Sequence, residues 1–282
     1  MTTDAPARSG WTALPRRRAA RPVPALLRPR TPLSRRTRAI LATASIVGPV
    51  VGWWALSASG VVDPPQFLPS PVATWKAIVA MASTGELFTD AWATIQRVFW
   101  GFGAAIAISV PLGILIGTFR GAQSLFEPVI GLVRYLPVGA FIPLLIIWLG
   151  LGEPPKITLI LLATVFFNTV MTADVVRQVP TSLIDVSYTL GARVGEVLRK
   201  VIIPHSLPGI VDAIRVNAAA AINFVVVAEL IAPDAGLGYR ITKVARFSQV
   251  DQIFAVLVVI ALIGVTIDIT LRILRDRIGR WV

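Results

Sequence analysis

The chain has 282 residues, 55% hydrophobic and only 15% charged, with a mean hydropathy of +0.74; that is too little charge to cover a soluble domain of this length, so a bilayer is the solvent the composition fits. The net charge of +12 does not indicate a nucleic-acid binder, because ten arginines fall between Arg8 and Arg38 and four more (Arg272, Arg275, Arg277, Arg280) in the last eleven residues. Basic ends around an apolar body suit a membrane protein with both termini in the cytoplasm, and the lack of cysteine excludes disulfides and thiolate metal sites.

Residues 1–38 mix Pro, Arg, Ala and Thr without apolar periodicity. Such a segment buries too little surface to offset its ordering entropy, so a disordered basic cytoplasmic tail is expected, touching anionic lipid headgroups. Its charged region and the apolar run after it are both too long for a cleaved signal peptide. Six apolar runs follow, judged against the roughly 20 helical residues that a bilayer core of about 30 Å requires. The first is 39–62, with Trp53 and Trp54 near its outer end, where amphipathic rings favour the interface. The second is 98–119, stopped by Arg120. The third, 135–152, and the fourth, 157–173, are shorter, and Pro154–Pro155 forces a turn between them. The fifth, 207–231, contains Asp212, Arg215 and Glu229, and the sixth, 253–271, has Asp268 near its inner end. Six spans return the C-terminus, with its basic residues 275–282, to the side of the N-terminus.

In this topology the inner loops are 120–134 and 175–206, the second carrying Arg177, Arg193, Arg199 and Lys200. The first outer segment, 63–92, holds Asp63, Glu86 and Asp90 against Lys76 alone. The last outer loop, 232–252, runs against the trend with Arg240, Lys243 and Arg246. Within 63–92, Ser70 or Pro71 starts a helix, and Val72, Trp75, Ile78, Val79 and Ala82 recur at helical spacing. That stripe predicts a short amphipathic helix along the outer surface, used for packing or anchoring. The Gly-rich 232–252 loop leaves room for a short re-entrant helix at an outer gate.

The loop after the fourth span is long and rich in structure-forming residues. Pro180 and Thr181–Ser182 suit a helix start, and Gly191 allows a sharp change of direction. Leu190, Val194, Val197 and Leu198 give the second half an apolar face opposite Arg193, Glu196, Arg199 and Lys200, and Pro204 and Pro208 are expected to end it before the membrane. The expectation is a helix–turn–helix platform outside the bilayer that docks another protein. Gly191 also suits plain helix termination, and Asp185 a solvated surface charge.

This loop resembles the EAA signature of ABC-importer permeases, which reads Glu-Ala-Ala, three residues, Gly, nine residues, Ile-x-Leu-Pro. Here it is Asp185-Val186-Ser187, Gly191, and then Val201-Ile202-Ile203-Pro204. The Gly and Pro keep the spacing, while Asp shortens the acidic arm and Val-Ser departs from Ala-Ala. Leu68-Pro69-Ser70-Pro71, Tyr135-Leu136-Pro137 with Gly150-Leu151-Gly152-Glu153, and Val227-Ala228-Glu229-Leu230 with Gly236-Leu237-Gly238-Tyr239 are similar to the branch that imports nitrate, bicarbonate, taurine, sulfonates and small heterocycles. The resemblance runs from about residue 65 to the end.

The resemblance implies an all-α polytopic bundle of six transmembrane helices with a cytoplasmic coupling helix, the permease core being 93–274 and the coupling loop 181–206, in a bacterial inner membrane. It implies a second permease subunit, for which a homodimer is expected, a cytoplasmic ABC ATPase dimer and an extracytoplasmic substrate-binding protein. The chain has no Walker A motif, so it binds no cofactor and is no enzyme in this reading; ATP and Mg are used by the partner ATPase. Asp185, Ser187, Leu190, Gly191, Ala192, Val194 and Pro204 are the expected ATPase-coupling residues. For the substrate pathway the candidates are Tyr135, Asn168, Asn217, Asn223, Phe224 and Glu229, since polar groups in a bilayer face the bundle interior; helix–helix hydrogen bonding uses the same residue types. Glu229 is expected at the outer end, in a gate or the delivery-protein surface. The sole histidine, His205, has no clustered carboxylates and no expected metal or acid–base role. Two other classes call for different residues: an ion-gradient-driven secondary transporter for acidic groups at mid-depth, and a membrane enzyme for His or carboxylate clusters.

Overall fold

Uncharged runs of 20 residues or more leave the backbone no partner in hydrocarbon except itself, so helix is the expected answer wherever the chain is apolar. The computed structural model describes residues 33–62, 67–231 and 234–279, and among these there is no strand; the basic tail up to residue 32 lies outside them. The chain divides into a first unit ending at Ala55 and a second beginning at Leu56. The first is essentially α1 (Arg35–Ala58), a 24-residue helix with Pro49 in its interior and none of its residues buried. Ser34 Oγ accepts the Thr37 N–H at 3.1 Å and caps its start.

The second unit opens with α2 (Pro71–Ser83), where Ser70 caps Ala73 N–H and Pro71 takes the first helical position. The expected stripe is only half of this helix. Thr74, Ala77 and Met81 form the buried face, packed with Leu87, Leu237, Ala255 and Val256, while Val72, Trp75 and Val79 stay exposed. A helix apolar on both faces seats one on the bundle and leaves the other exposed.

The core is built on α3 (Glu86–Thr118) and α6 (Glu153–Arg177), which run parallel and touch along most of their length. Their closeness comes from glycine. A Cβ on Gly101 would lie 2.7 Å from the Ile157 carbonyl, on Gly113 2.5 Å from Thr172 Cβ, and on Gly117 2.6 Å from Val176 Cβ. Gly113 and Gly117 are four apart, the small-residue spacing by which helices approach in lipid, where dispersion and not water exclusion drives packing. Against this pair lies α9 (Ile203–Ile231), and Val98, Phe102 and Ala105 meet Ile160, Val165, Ala218, Ala221 and Val225 in a shared core. Two helices, α10 (Leu237–Ala245) and α11 (Val250–Ile278), complete the unit.

The stretch between α3 and α6 departs from expectation. Residues 120–134, read as a loop, form α4 (Arg120–Val133). Residues 135–152, read as a continuous span, hold only a 3₁₀ turn (Val138–Phe141) and the eight-residue α5 (Ile142–Leu149). The two pieces meet at an 81° bend beside Pro137, whose ring removes a helical donor and restricts the residue before it. Together they still cross. Their start follows Thr118, level with Val176, and their end precedes Glu153, level with Arg97. Those levels are twenty residues apart on α3, about 30 Å. Among the described residues there are thus five unbroken helices long and apolar enough to span, and a sixth crossing made of this bent pair.

A second correction concerns Pro204 and Pro208, which do not end the helix. The chain stays helical from α8 (Val194–Val197) through α9. A wide turn over Leu198–Ile202, in which Ile203 N–H reaches the Leu198 carbonyl, precedes Pro204. The helix runs through both prolines without a break.

Candidate functional site

At the Gly117 end of the bundle, α6 is followed by α7 (Thr181–Thr189), a turn, and α8. The turn is a Schellman motif: Ala192 N–H bonds the Ser187 carbonyl at 3.0 Å and Gly191 N–H bonds the Tyr188 carbonyl at 2.9 Å. Gly191 has φ of 83°, a conformation that strains any residue with a Cβ, so it terminates α7 and redirects the chain at once. Glu196 accepts the Arg193 N–H at 3.0 Å and the Lys200 ammonium at 3.1 Å, fixing the start of α8. The apolar face read from the sequence divides in two. Val197 and Ile202 are buried with Val176, Val179 and Ile210, anchoring the elbow to α6 and α9. Leu190 is 82% exposed and Val186 58%, and Leu183 and Val194 are also exposed. On α7 the three residues 183, 186 and 190 share one face at i, i+3, i+7.

Of the other coupling candidates, Asp185 is exposed, and among the described residues its carboxylate caps no helix. Ser187 Oγ donates to the Leu183 carbonyl at 2.7 Å. Ala192 is half-buried against the anchoring cluster, and Pro204 is half-buried in the first turn of α9.

The pathway candidates separate into distinct groups. Asn168 on α6 donates to Ser109 Oγ on α3 at 2.6 Å, and Asn217 on α9 donates to Asn168 Oδ1 at 3.3 Å. All three are buried, so these amides turn toward each other and tie three helices together. Tyr135 is 76% exposed at the α4–α5 bend, its hydroxyl 3.1 Å from Arg134. Phe224 is half-buried, and Asn223 is exposed, lining a cavity between α9 and α11.

Glu229 has a different setting from the one expected. It is fully buried, so it presents no surface for docking. Its Oε1 takes Arg97 Nη1 at 2.6 Å, Thr94 Oγ1 donates to it at 2.9 Å, and Gly238 N–H donates to Oε2 at 2.8 Å. Arg97 also pairs with Glu153 through two 2.6 Å bonds and donates to the Ala235 carbonyl at 2.6 Å. Next to this, Asp90 takes Arg240 at 2.7 Å and Gly236 N–H at 3.0 Å, while Glu86 takes Arg240 at 2.6 Å. The network pins the N-terminus of α10 to α3, α6 and α9. Of these residues only Glu229 is a site candidate on sequence grounds. The signal for the rest is present in Asp90, Thr94 and Arg97 at i, i+4, i+7, one polar face on a long apolar helix. Among the described residues no group of three or more His, Asp or Glu could hold a metal ion.

Six membrane-length crossings among the described residues, one of them a bent pair, and an exposed elbow continuous with the core define a polytopic helical membrane protein. Residues 109–282 match the family described as binding-protein-dependent transport system inner membrane component. The chain belongs to that family, the ABC-importer permeases. It is 37% identical over 230 residues to a probable ABC transporter permease protein of Brucella melitensis, covering 82% of this chain and 92% of that one. It is 33% identical over 259 residues to the taurine transport system permease protein TauC of Escherichia coli, covering 89% and 92%. Among solved structures, the MetNI methionine ABC transporter in inward-facing conformations aligns with a TM-score of 0.62 at 20% identity, covering 71% of this chain and 99% of that one. At that identity the likeness shows the fold.

Proposed function

We propose that this chain couples ATP hydrolysis on a partner ATPase dimer to uptake of a small organic anion of the sulfonate type, with α7 and α8 as the contact. The exposed face of Leu183, Val186, Leu190 and Val194 on an anchored elbow is the observation that carries this reading. A surface of that kind, held by Val197 and Ile202 beneath it, transmits a push without deforming. Because α8 runs on into α9, displacement of the elbow moves the helix that packs on both α6 and α11. ATP-driven closure then biases a two-state bundle by differential contact. ATP and Mg are bound by the ATPase, a second copy of this permease completes the pathway, and an extracytoplasmic binding protein delivers substrate. The substrate class follows from likeness to TauC and to the putative aliphatic sulfonates transport permease SsuC of Bacillus subtilis, 31% identical over 229 residues.

The elbow faces the cytoplasm in this reading, with both termini on that side. Arg177, Arg193, Arg199, Lys200, Arg275 and Arg277 gather at that end. Two of the three cations that ran against the rule at the other end are balanced, since Arg240 and Lys243 pair with Asp90 and Glu86. Asn223 and Phe224 remain in the pathway, while Asn168 and Asn217 hold the helices around it. Co-purification tests the proposal. The wild-type chain brings down its ATPase, and Leu190→Glu reduces the yield at least tenfold; an unchanged yield refutes the elbow as the contact.

A further inference from the structure

The arginines of the helical core are not alike. Arg97 and Arg240 are enclosed, with side chains 3% and 7% exposed, and they make four and two hydrogen bonds of 2.6–2.7 Å, respectively. Arg215 on α9 is 31% exposed, and among the described residues its guanidinium makes only ion pairs, 3.3 Å from Asp268 and 3.6 Å from Asp212. Both are longer than the 2.7–3.2 Å of ordinary N–H···O bonds. Its charge is balanced, but among the described residues no hydrogen bond of ordinary length engages its donors.

The depth of Arg215 makes this costly. Asn217 bonds Asn168, which bonds Ser109, and Ser109 lies twelve residues along α3 from Arg97, about 18 Å. Arg215 is two residues from Asn217 on the elbow side, and therefore sits about 21 Å from the Arg97 level and about 9 Å inside the elbow end of the roughly 30 Å crossing. A guanidinium at that depth with idle donors needs a reason. It borders a cavity of about 250 Å³ between α9 and α11, with Asp268 beside it in the lining, walls of Ala218, Ala261 and Gly264, and Asn223 at the other end. Arg215 and Asn223 are eight residues apart on one helix, about 12 Å. The cavity is too long for one bare ion.

We infer that this cavity is a transit site for a small organic oxyanion, a carboxylate or sulfonate, whose head group is held by Arg215 and whose polar tail reaches Asn223. The planar guanidinium fork matches two oxygens of such a head group. Asp212 and Asp268 let the cation exist at this depth without using its donors, and they weaken the grip on an anion. Weak binding is what a site on a pathway requires, because solute must leave as readily as it enters. This rests on the transport reading above and adds the residues that select charge.

Ligand-observed saturation-transfer NMR on the detergent-solubilised full chain tests the site without the ATPase. Ethanesulfonate or propionate gives a signal on the wild type, and uncharged ethanesulfonamide gives none. The signal falls at least tenfold in Arg215→Gln and is partly kept in Arg215→Lys. Gly264→Leu also removes it, by filling the cavity while leaving every ion pair in place; a Cβ there already meets Ile222 at 3.4 Å. No signal for either anion on the wild type, equal binding of ethanesulfonamide, or wild-type binding by Arg215→Gln overturns the site. Stimulation of ATP hydrolysis in the wild-type complex is measured separately. Its absence refutes the coupling reading, and the NMR result still decides the site.

Discussion

Replacing Arg97 by Met removes a cation from a pocket where Glu229 is wholly enclosed and keeps most of the side chain's length and apolar stem. The carboxylate then faces only Thr94 Oγ1 and the Gly238 N–H. Two unit charges about 4 Å apart interact by about 4 kcal/mol at an effective dielectric constant near 20, and breaking one side of a buried pair costs about 3–5 kcal/mol. Arg97→Met should therefore lose about that much unfolding free energy, read as denaturant-induced unfolding in micelles. Adding Glu229→Gln to it removes the stranded charge and keeps an oxygen for Thr94 and Gly238. The double variant should regain about 2 kcal/mol, although Glu229→Gln alone, by uncoupling Arg97, destabilises the wild type. Such a reversal of sign between backgrounds is the mark of a direct pair. If the double variant is as unstable as the sum of the singles, the network is not what holds α10 in place.

Gly191→Val, forced to a φ of 83°, should cost about 1–2 kcal/mol locally and abolish binding-protein-stimulated ATP hydrolysis with membrane insertion intact; normal uptake counts against the elbow. Leu190→Glu, at an exposed position, should change unfolding stability by no more than about 0.5 kcal/mol while reducing ATPase association, so a large loss of stability would reassign Leu190 to the core. Gly113→Val drives a side chain into Thr172 and the Thr169 carbonyl and should cost about 1–3 kcal/mol by overpacking. Wild-type stability of that variant refutes the close α3–α6 contact.

What the sequence reveals depends on how far apart the cooperating residues lie. The uncharged runs and the elbow are local patterns: the Gly191 turn joins residues five apart, and the Leu183, Val186, Leu190 face sits within one helix. The third span is obscured because α4 carries Arg120, Gln123 and Glu127 and is followed by Arg134, an amphipathic pattern that passes for a polar loop until its partner helix past Pro137 is seen. Arg97 reads as the residue just short of a span, because its partners Glu153 and Glu229 are 56 and 132 residues away. The asparagines are recognisable as unusual in a bilayer, but whether an amide faces a neighbour or a cavity is set by packing among α3, α6 and α9, which no single helix encodes.

The chain has no cysteine, so one introduced at Leu190 is unique. Cross-linking Leu190→Cys in inside-out vesicles to a single-cysteine cognate ATPase tests the coupling claim most directly. A covalent adduct whose yield changes when ATP is added is the outcome expected here. An introduced thiol that reacts only with reagents on the opposite face of the membrane, or that never joins the ATPase, contradicts it.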